Sequence, residues 1–99
     1  MKNILDNLEF SSDKANVFNI RKTEKLKYFA VALGLNAVLK KHKTSSPATL
    51  VVLKGEINFV FSDREYLLKQ FDTFEIPVDE EHEVVGVLEQ NLFTVNQEI

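Results

Sequence analysis

Apolar residues alternate with polar ones along most of the chain after the first fifteen positions. In segment 16–20, Phe18 and Ile20 fall on one face, which is the two-residue period of a β-strand. Segment 25–34 presents a polar face only at its start, so we expect its later part to be covered on both faces. Turn-forming residues interrupt the apolar runs about every eight to twelve positions, a spacing typical of an all-β barrel or sandwich.

The second half of the chain contains further predicted strands and two predicted hairpins. Residues 50–53 form a continuous apolar run, and Gly55 turns the chain into the alternating segment 57–61, so we interpret the two runs as a hairpin. A closing hairpin is predicted around the polar residues 89–91, which separate two short apolar segments. Strands are also predicted at 35–40, 65–69 and 72–76, and the whole pattern predicts about eight strands.

The first ten residues have a different pattern. Ile4, Leu5 and Leu8 recur at helical spacing, which predicts one or two turns of amphipathic helix. Acidic residues interrupt this segment, so it lacks the apolar core of a signal peptide. The longest apolar-rich stretch, 28–39, is too short and too interrupted to span a bilayer. We therefore expect a cytoplasmic protein that does not associate with membranes.

Composition narrows the classes of protein further. A chain of 99 residues with 44% hydrophobic and 27% charged residues is typical of one globular domain, here residues 1–99. The net charge of −3 gives no general attraction to phosphate backbones, so we expect no nucleic-acid partner. The chain contains no cysteine, which excludes disulfides, thiolate metal sites and cysteine nucleophiles.

Two sequence blocks carry the candidate chemistry. The first, 42–56, contains His42 and Thr44, and the second, 71–84, contains His82. Their order and spacing resemble the paired motifs of the cupin superfamily, whose members are small antiparallel β-barrels or jelly rolls. The resemblance implies that fold, with a pocket in the mouth of the barrel, where many cupins hold a metal ion.

The match to the cupin pattern is partial. His42 occupies the first histidine position, Thr44 the second, Ala48 the glutamate position and His82 the last histidine position. Two of the four metal ligands are therefore missing, since a threonine hydroxyl is a poor ligand and alanine offers none. Gly55 and Pro77 match the glycine and the proline of the cupin pattern. The resemblance leads us to expect glycine at three further positions, where this chain has Asn36, Phe71 and Asp79.

The two histidines have several interpretations. In the first interpretation they are structural residues, His42 near a basic segment and His82 within an acidic one. In the second, both face the barrel mouth, where they bind a metal ion weakly, bind an anionic or hydrogen-bonding ligand, or exchange a proton with a ligand. Glu80 and His82 are two positions apart, as are Glu81 and Glu83, so another carboxylate and imidazole site forms if the acidic loop curls inward. Nearby carboxylates are expected to favour the protonated imidazole. The lysines are interpreted first as solvated strand edges and second as a binding patch; they are Lys22, Lys25, Lys27, Lys40, Lys41 and Lys43.

The first functional hypothesis is a binding or sensing barrel with little or no catalytic activity. Its small-molecule ligand would lie in a pocket of His42, Thr44, His82, Phe59 and Phe74. The second hypothesis is a metal-dependent enzyme of the dioxygenase or isomerase type, as the resemblance implies for the wider family. The cofactor is accordingly none, or a divalent metal held weakly by His42 and His82. No catalytic residue is assigned.

Assembly is a further expectation. Single cupin domains commonly pair through an edge strand or an outer sheet face, so the resemblance implies a homodimer. The strand around 17–20 is the candidate contributor to that contact. Dimer formation and ligand binding are compatible with each other.

Overall fold

The structure is a computed structural model that describes all residues from 1 to 99. Nine strands form two antiparallel sheets, so the all-β prediction is confirmed, with one strand more than the expected eight. The five-stranded sheet has the order β1-β2-β9-β4-β7, and the four-stranded sheet has the order β3-β8-β5-β6. The strands are β1 (Asn16–Lys22), β2 (Leu26–Leu33), β3 (Val38–His42), β4 (Ala48–Lys54), β5 (Glu56–Val60), β6 (Glu65–Lys69), β7 (Thr73–Ile76), β8 (His82–Gly86) and β9 (Asn91–Glu98).

The main core lies between the two sheets. Alternate residues of each strand point inward, as the two-residue period requires, and 14 buried apolar residues form one cluster there. Phe59 of β5 and Phe93 of β9 are the largest fully buried side chains. No helix of the structure is long and apolar enough to cross a membrane.

The amino-terminal segment covers the outer face of the five-stranded sheet. It forms a short 3-10 turn, Leu5–Asn7, where the sequence predicts one or two helical turns. Leu8 is buried there against Ala30, Ala32 and Leu92. The second half of β2 is therefore covered on both faces, as its sequence predicts, because one face meets the core and the other meets this segment.

Both predicted hairpins named above are wrong. Strand β4 pairs with β7 and β9, whereas β5 pairs with β6 and β8. The chain therefore passes from one sheet to the other at Gly55, which has a φ of 74°. A Cβ atom at Gly55 would lie 2.3 Å from the carbonyl oxygen of Gln90, so only glycine fits this corner. The loop before β9 changes sheets in the same way, and Asn91 is the first residue of that strand.

Three turns keep a glycine-like backbone without glycine. The φ angles of Asn36, Phe71 and Asp79 are 63°, 71° and 60°, in the left-handed region. These are the three positions at which the cupin resemblance leads us to expect glycine. Asn and Asp tolerate this region better than other residues do, whereas Phe71 is a bulky side chain that remains 75% exposed. The turn geometry of the motifs is thus retained although the residues differ.

Candidate functional site

A cavity of about 240 Å³ lies between the two sheets at one end of the barrel. On the five-stranded sheet, Lys27, Gln97 and Ala48 are neighbours in register across β2, β9 and β4. On the four-stranded sheet, His42 of β3 pairs with His82 of β8. Fifteen residues line the cavity, and nine of them are apolar: Phe29, Leu39, Ala48, Leu50, Phe59, Ile76, Val84, Phe93 and Val95, together with Lys27, His42, Lys43, Thr44, His82 and Gln97.

The structure brings the two histidines together. Their ring centroids are 4.4 Å apart, with the rings edge to face. His42 lies at the exposed rim, whereas His82 is only 2% exposed. The ring of His82 also packs on Phe59 at a centroid distance of 4.6 Å. The His82 side chain therefore forms part of the apolar wall as well as part of the polar rim.

Backbone carbonyl groups orient both imidazoles. The Nδ1 atom of His42 lies 2.7 Å from the carbonyl oxygen of Lys40, and Nδ1 of His82 lies 3.1 Å from that of Glu80. Because a carbonyl oxygen only accepts hydrogen bonds, each Nδ1 carries the hydrogen and donates it. The Nε2 atom of each ring has no hydrogen-bond partner within the protein.

Burial favours the neutral form of the His82 side chain. The loss of hydration lowers the pKa of His82 below its usual value, and the neighbouring His42 lowers it further. The carboxylate of Glu80 does favour the protonated imidazole, as expected, and so does the hydrogen bond to the Glu80 carbonyl group, but the cost of burial is larger and the net pKa of His82 is lowered.

The alternative carboxylate and imidazole site does not form. The Glu80 carboxylate accepts two hydrogen bonds from Arg64, at 2.6 and 2.9 Å, and Arg64 thereby lowers the pKa of Glu80. Glu81 faces Lys41 instead, with its carboxylate 3.7 Å from the ammonium group. Both carboxylates are thus paired with cations, and neither of them hydrogen-bonds to the imidazole of His82.

Thr44 lies at the rim, but its hydroxyl group is already occupied. It donates a hydrogen bond to the carbonyl oxygen of Ser46 at 3.0 Å and accepts one from the Ser46 amide at 3.2 Å. The side-chain amide of Gln97 donates a further hydrogen bond to the same oxygen. This hydroxyl group shapes the turn after β3 and links it to β9, so it has no free position for a ligand.

The residues at the cupin metal positions do not fit a four-ligand metal site. Thr44 is engaged, Ala48 presents a methyl group, and only the imidazoles of His42 and His82 offer donor atoms. No group of three or more His, Cys, Asp or Glu side chains is arranged to hold a metal ion. The two lysines on the rim, Lys27 and Lys43, would also repel a divalent cation.

Of the two predicted pocket phenylalanines, Phe59 lines the cavity and Phe74 does not. Phe74 packs behind Phe59, with their ring centroids 4.8 Å apart. Sequence reasoning missed Lys27, Lys43 and Gln97 as lining residues. A signal existed for two of them, because Lys27 continues the inward face of β2 and Gln97 that of β9, two residues beyond Phe29 and Val95 respectively.

Comparisons with solved structures identify the fold. A cupin superfamily protein from Desulfitobacterium hafniense has a TM-score of 0.83 at 13% identity, covering 93% of this chain and 84% of its own. An RmlC-like cupin protein from Desulfovibrio desulfuricans has a TM-score of 0.81 at 19% identity, covering 98% and 94%. A conserved protein of unknown function from Streptococcus pyogenes has a TM-score of 0.83 at 13% identity, covering 99% and 85%.

This protein therefore has the cupin fold, a jelly-roll-like barrel of two antiparallel sheets, as the sequence resemblance implies. No family model matches the chain, and no curated protein matches it in sequence. Identities below 20% establish the fold alone.

Proposed function

We propose that this protein binds a small organic molecule in the cavity between its sheets and has little or no catalytic activity. The observation that carries the proposal is a mainly apolar cavity whose polar rim retains two oriented imidazoles but no further metal-ligating group. Apolar walls with a few placed polar groups are the usual construction of a small-molecule site. The rim can therefore orient a ligand although half of the metal cage is missing.

The cavity volume restricts the ligand to a small one. About 240 Å³ is below the range of about 300–1,000 Å³ found for pockets that bury drug-sized molecules. The deepest lining residues, Leu50, Phe59 and Phe93, are almost completely buried, so the ligand would exchange water for aromatic and aliphatic contacts there. A molecule with one ring or a short branched chain matches these dimensions.

A thermal-stability screen of small metabolites tests this proposal, because a molecule that binds only the native state raises the melting temperature by an amount that increases with its concentration relative to its Kd. Ala48→Leu adds bulk to the cavity wall and should abolish the shift caused by any ligand found. Thr49→Leu adds bulk to the opposite face of the same strand, which lines a different surface groove, and should leave the shift unchanged. A screen without any Ala48-dependent ligand would contradict the proposal.

A metal-dependent enzyme is the second candidate. One observation favours it: both histidines donate through Nδ1 to a backbone carbonyl group and leave Nε2 free, as metal-bound histidines commonly do. Elemental analysis of protein purified without chelator or nickel resin decides between the candidates. Stoichiometric iron, manganese, zinc or nickel that is lost in both His42→Ala and His82→Ala would favour the enzyme and overturn the first proposal.

We also propose that the protein assembles as a homodimer. Strand β1 is one edge of the five-stranded sheet, and Val17 on this strand is 51% exposed. An edge strand with unpaired backbone groups is a ready surface for pairing with a second copy. Light scattering at micromolar concentration should give twice the monomer mass of 11.4 kDa, and a monomer mass would contradict the proposal.

A further inference from the structure

The charges around the cavity differ from those of the whole chain. The chain carries 15 acidic and 12 basic residues, a formal net charge of −3. Yet the ionisable residues that line the cavity are two lysines and two histidines, without any aspartate or glutamate. A concave site lined by one sign of charge concentrates ligands of the opposite sign. The cavity rim is therefore a local positive region on an acidic protein.

The two rim lysines have no acidic partner within the protein. Among the lysines, only Lys41 forms an ion pair, with Glu81. Lys27 is half-buried, and its ammonium group lies 5.2 Å from the ring centroid of Phe29, another lining residue. Lys43 lies in the loop beside Thr44, whose side chain is fixed by hydrogen bonds. Both cations are thus placed at the rim without a carboxylate of this chain to neutralise them.

The two sides of the rim offer different chemistry. In the five-stranded sheet, Lys27 is the register neighbour of Gln97, and the Gln97 amide reaches Thr44, next to Lys43. These contacts connect the strand that carries Lys27 to the loop that carries Lys43. The imidazoles of His42 and His82 are on the other sheet, and their Nε2 atoms have no hydrogen-bond partner within the protein. Because a lysine ammonium group carries a positive charge and only donates hydrogen bonds, a negatively charged group fits Lys27 and Lys43.

We infer that the ligand is a small monocarboxylate with an apolar body. Its carboxylate is bound by Lys27 and Lys43, and its apolar part lies between Phe29, Phe59 and Phe93. This inference rests on the proposed function of the cavity and adds the chemical class of the ligand. An ammonium–carboxylate contact at the rim supplies a charged hydrogen bond, while the aromatic walls supply contact area deeper in the cavity.

Matched pairs of acids and amides test the inference on the full chain at pH 7.5. Benzoate and cyclohexanecarboxylate are compared with benzamide and cyclohexanecarboxamide, which have nearly the same shape but no charge. Calorimetric titration and thermal shift should detect the acids and not the amides. Lys27→Met and Lys43→Met should each weaken binding of the acids about tenfold, the usual scale for one charged hydrogen bond. Methionine is an unbranched apolar side chain similar in length to the lysine stem, so the apolar wall is preserved.

Control variants separate this site from general attraction of anions. Lys69→Met removes an exposed lysine of β6 that does not line the cavity and should leave binding unchanged. Ala48→Leu should remove binding by filling the cavity. Equal weakening in Lys69→Met, or full binding in Ala48→Leu, would overturn the inference.

The remaining outcomes distinguish the inference from the proposed function. If the amides bind as tightly as the acids and neither rim-lysine variant matters, the carboxylate assignment is wrong and the small-molecule cavity stands. If no compound binds at millimolar concentration and the metabolite screen also yields nothing, both fail.

Discussion

Asn91 joins both corners at which the chain changes sheets. Its side chain is fully buried, and its Oδ1 atom accepts hydrogen bonds from the amides of Glu56 and Leu88 at 3.0 and 3.1 Å. Its Nδ2 group donates to the carbonyl oxygens of Leu33 and Leu88 at 3.0 and 2.7 Å. One side chain therefore connects the end of β2, the start of β5 and the loop before β9.

The substitution Asn91→Asp keeps this shape, removes the donor group and introduces an ionisable carboxyl group. The two amide contacts to Oδ1 remain, but a carboxylate oxygen then faces the Leu33 and Leu88 carbonyl oxygens. A buried polar group left without its partner costs about 1–3 kcal/mol, so two such carbonyl groups cost about 2–6 kcal/mol. This cost is a large part of the total of about 5–15 kcal/mol that stabilises an ordinary domain.

The cost should depend on pH in a defined direction. Burial beside carbonyl oxygens raises the pKa of the introduced carboxyl group above its value in the unfolded chain. The penalty is therefore complete above the raised pKa and becomes smaller as pH falls, because the protonated group donates one hydrogen bond again. Urea unfolding at pH 7.5 and 4.5 measures the difference in unfolding free energy between variant and native protein at each pH.

Asn96→Asp is the matched control, since Asn96 lies on the same strand but is exposed. Its unfolding free energy should change by less than about 0.5 kcal/mol. The reasoning is refuted if Asn91→Asp costs no more than this control at pH 7.5, or if its penalty increases on acidification.

Two further predictions concern single positions. At Phe71, where φ is 71°, glycine should be more stable than alanine by about 0.5–1 kcal/mol in urea unfolding, because only glycine adopts this region without strain. At the exposed strand residue Leu67, the alanine variant should be more stable than the glycine variant. If the glycine variant is the less stable one at both positions, the argument is contradicted. Because burial lowers the pKa of His82, the unfolded chain binds the proton first as pH falls, so stability should decrease from pH 7 towards pH 5. In His82→Gln, the unfolding free energy measured in urea should decrease less between pH 7 and pH 5 than in the native protein. An equal decrease would show that other groups cause the pH dependence.

The sequence by itself determined most of the strands and the alternation of their faces. Strand faces depend on a two-residue period that is local in the chain, which is why the shared face of Ile57 and Phe59 follows from the sequence. The cupin spacing offered a shared barrel mouth as one interpretation of His42 and His82, and the structure places their rings 4.4 Å apart. The left-handed backbone angles at Asn36, Phe71 and Asp79, where the resemblance leads us to expect glycine, became visible only in the structure.

Only the tertiary structure decided which strands pair and which polar groups remain free. Alternating strands joined by a turn residue form either a hairpin within one sheet or a connection between two sheets. The presence of Gly55 in the sequence does not distinguish these two arrangements. Whether Thr44 is free depends on Gln97, which is 53 residues away in the chain. Lys27 and Lys43 were interpreted as solvated edges, but they line the cavity. Hydrogen-bond partners, burial and local charge come from contacts between distant segments, and these determine the chemistry of the cavity.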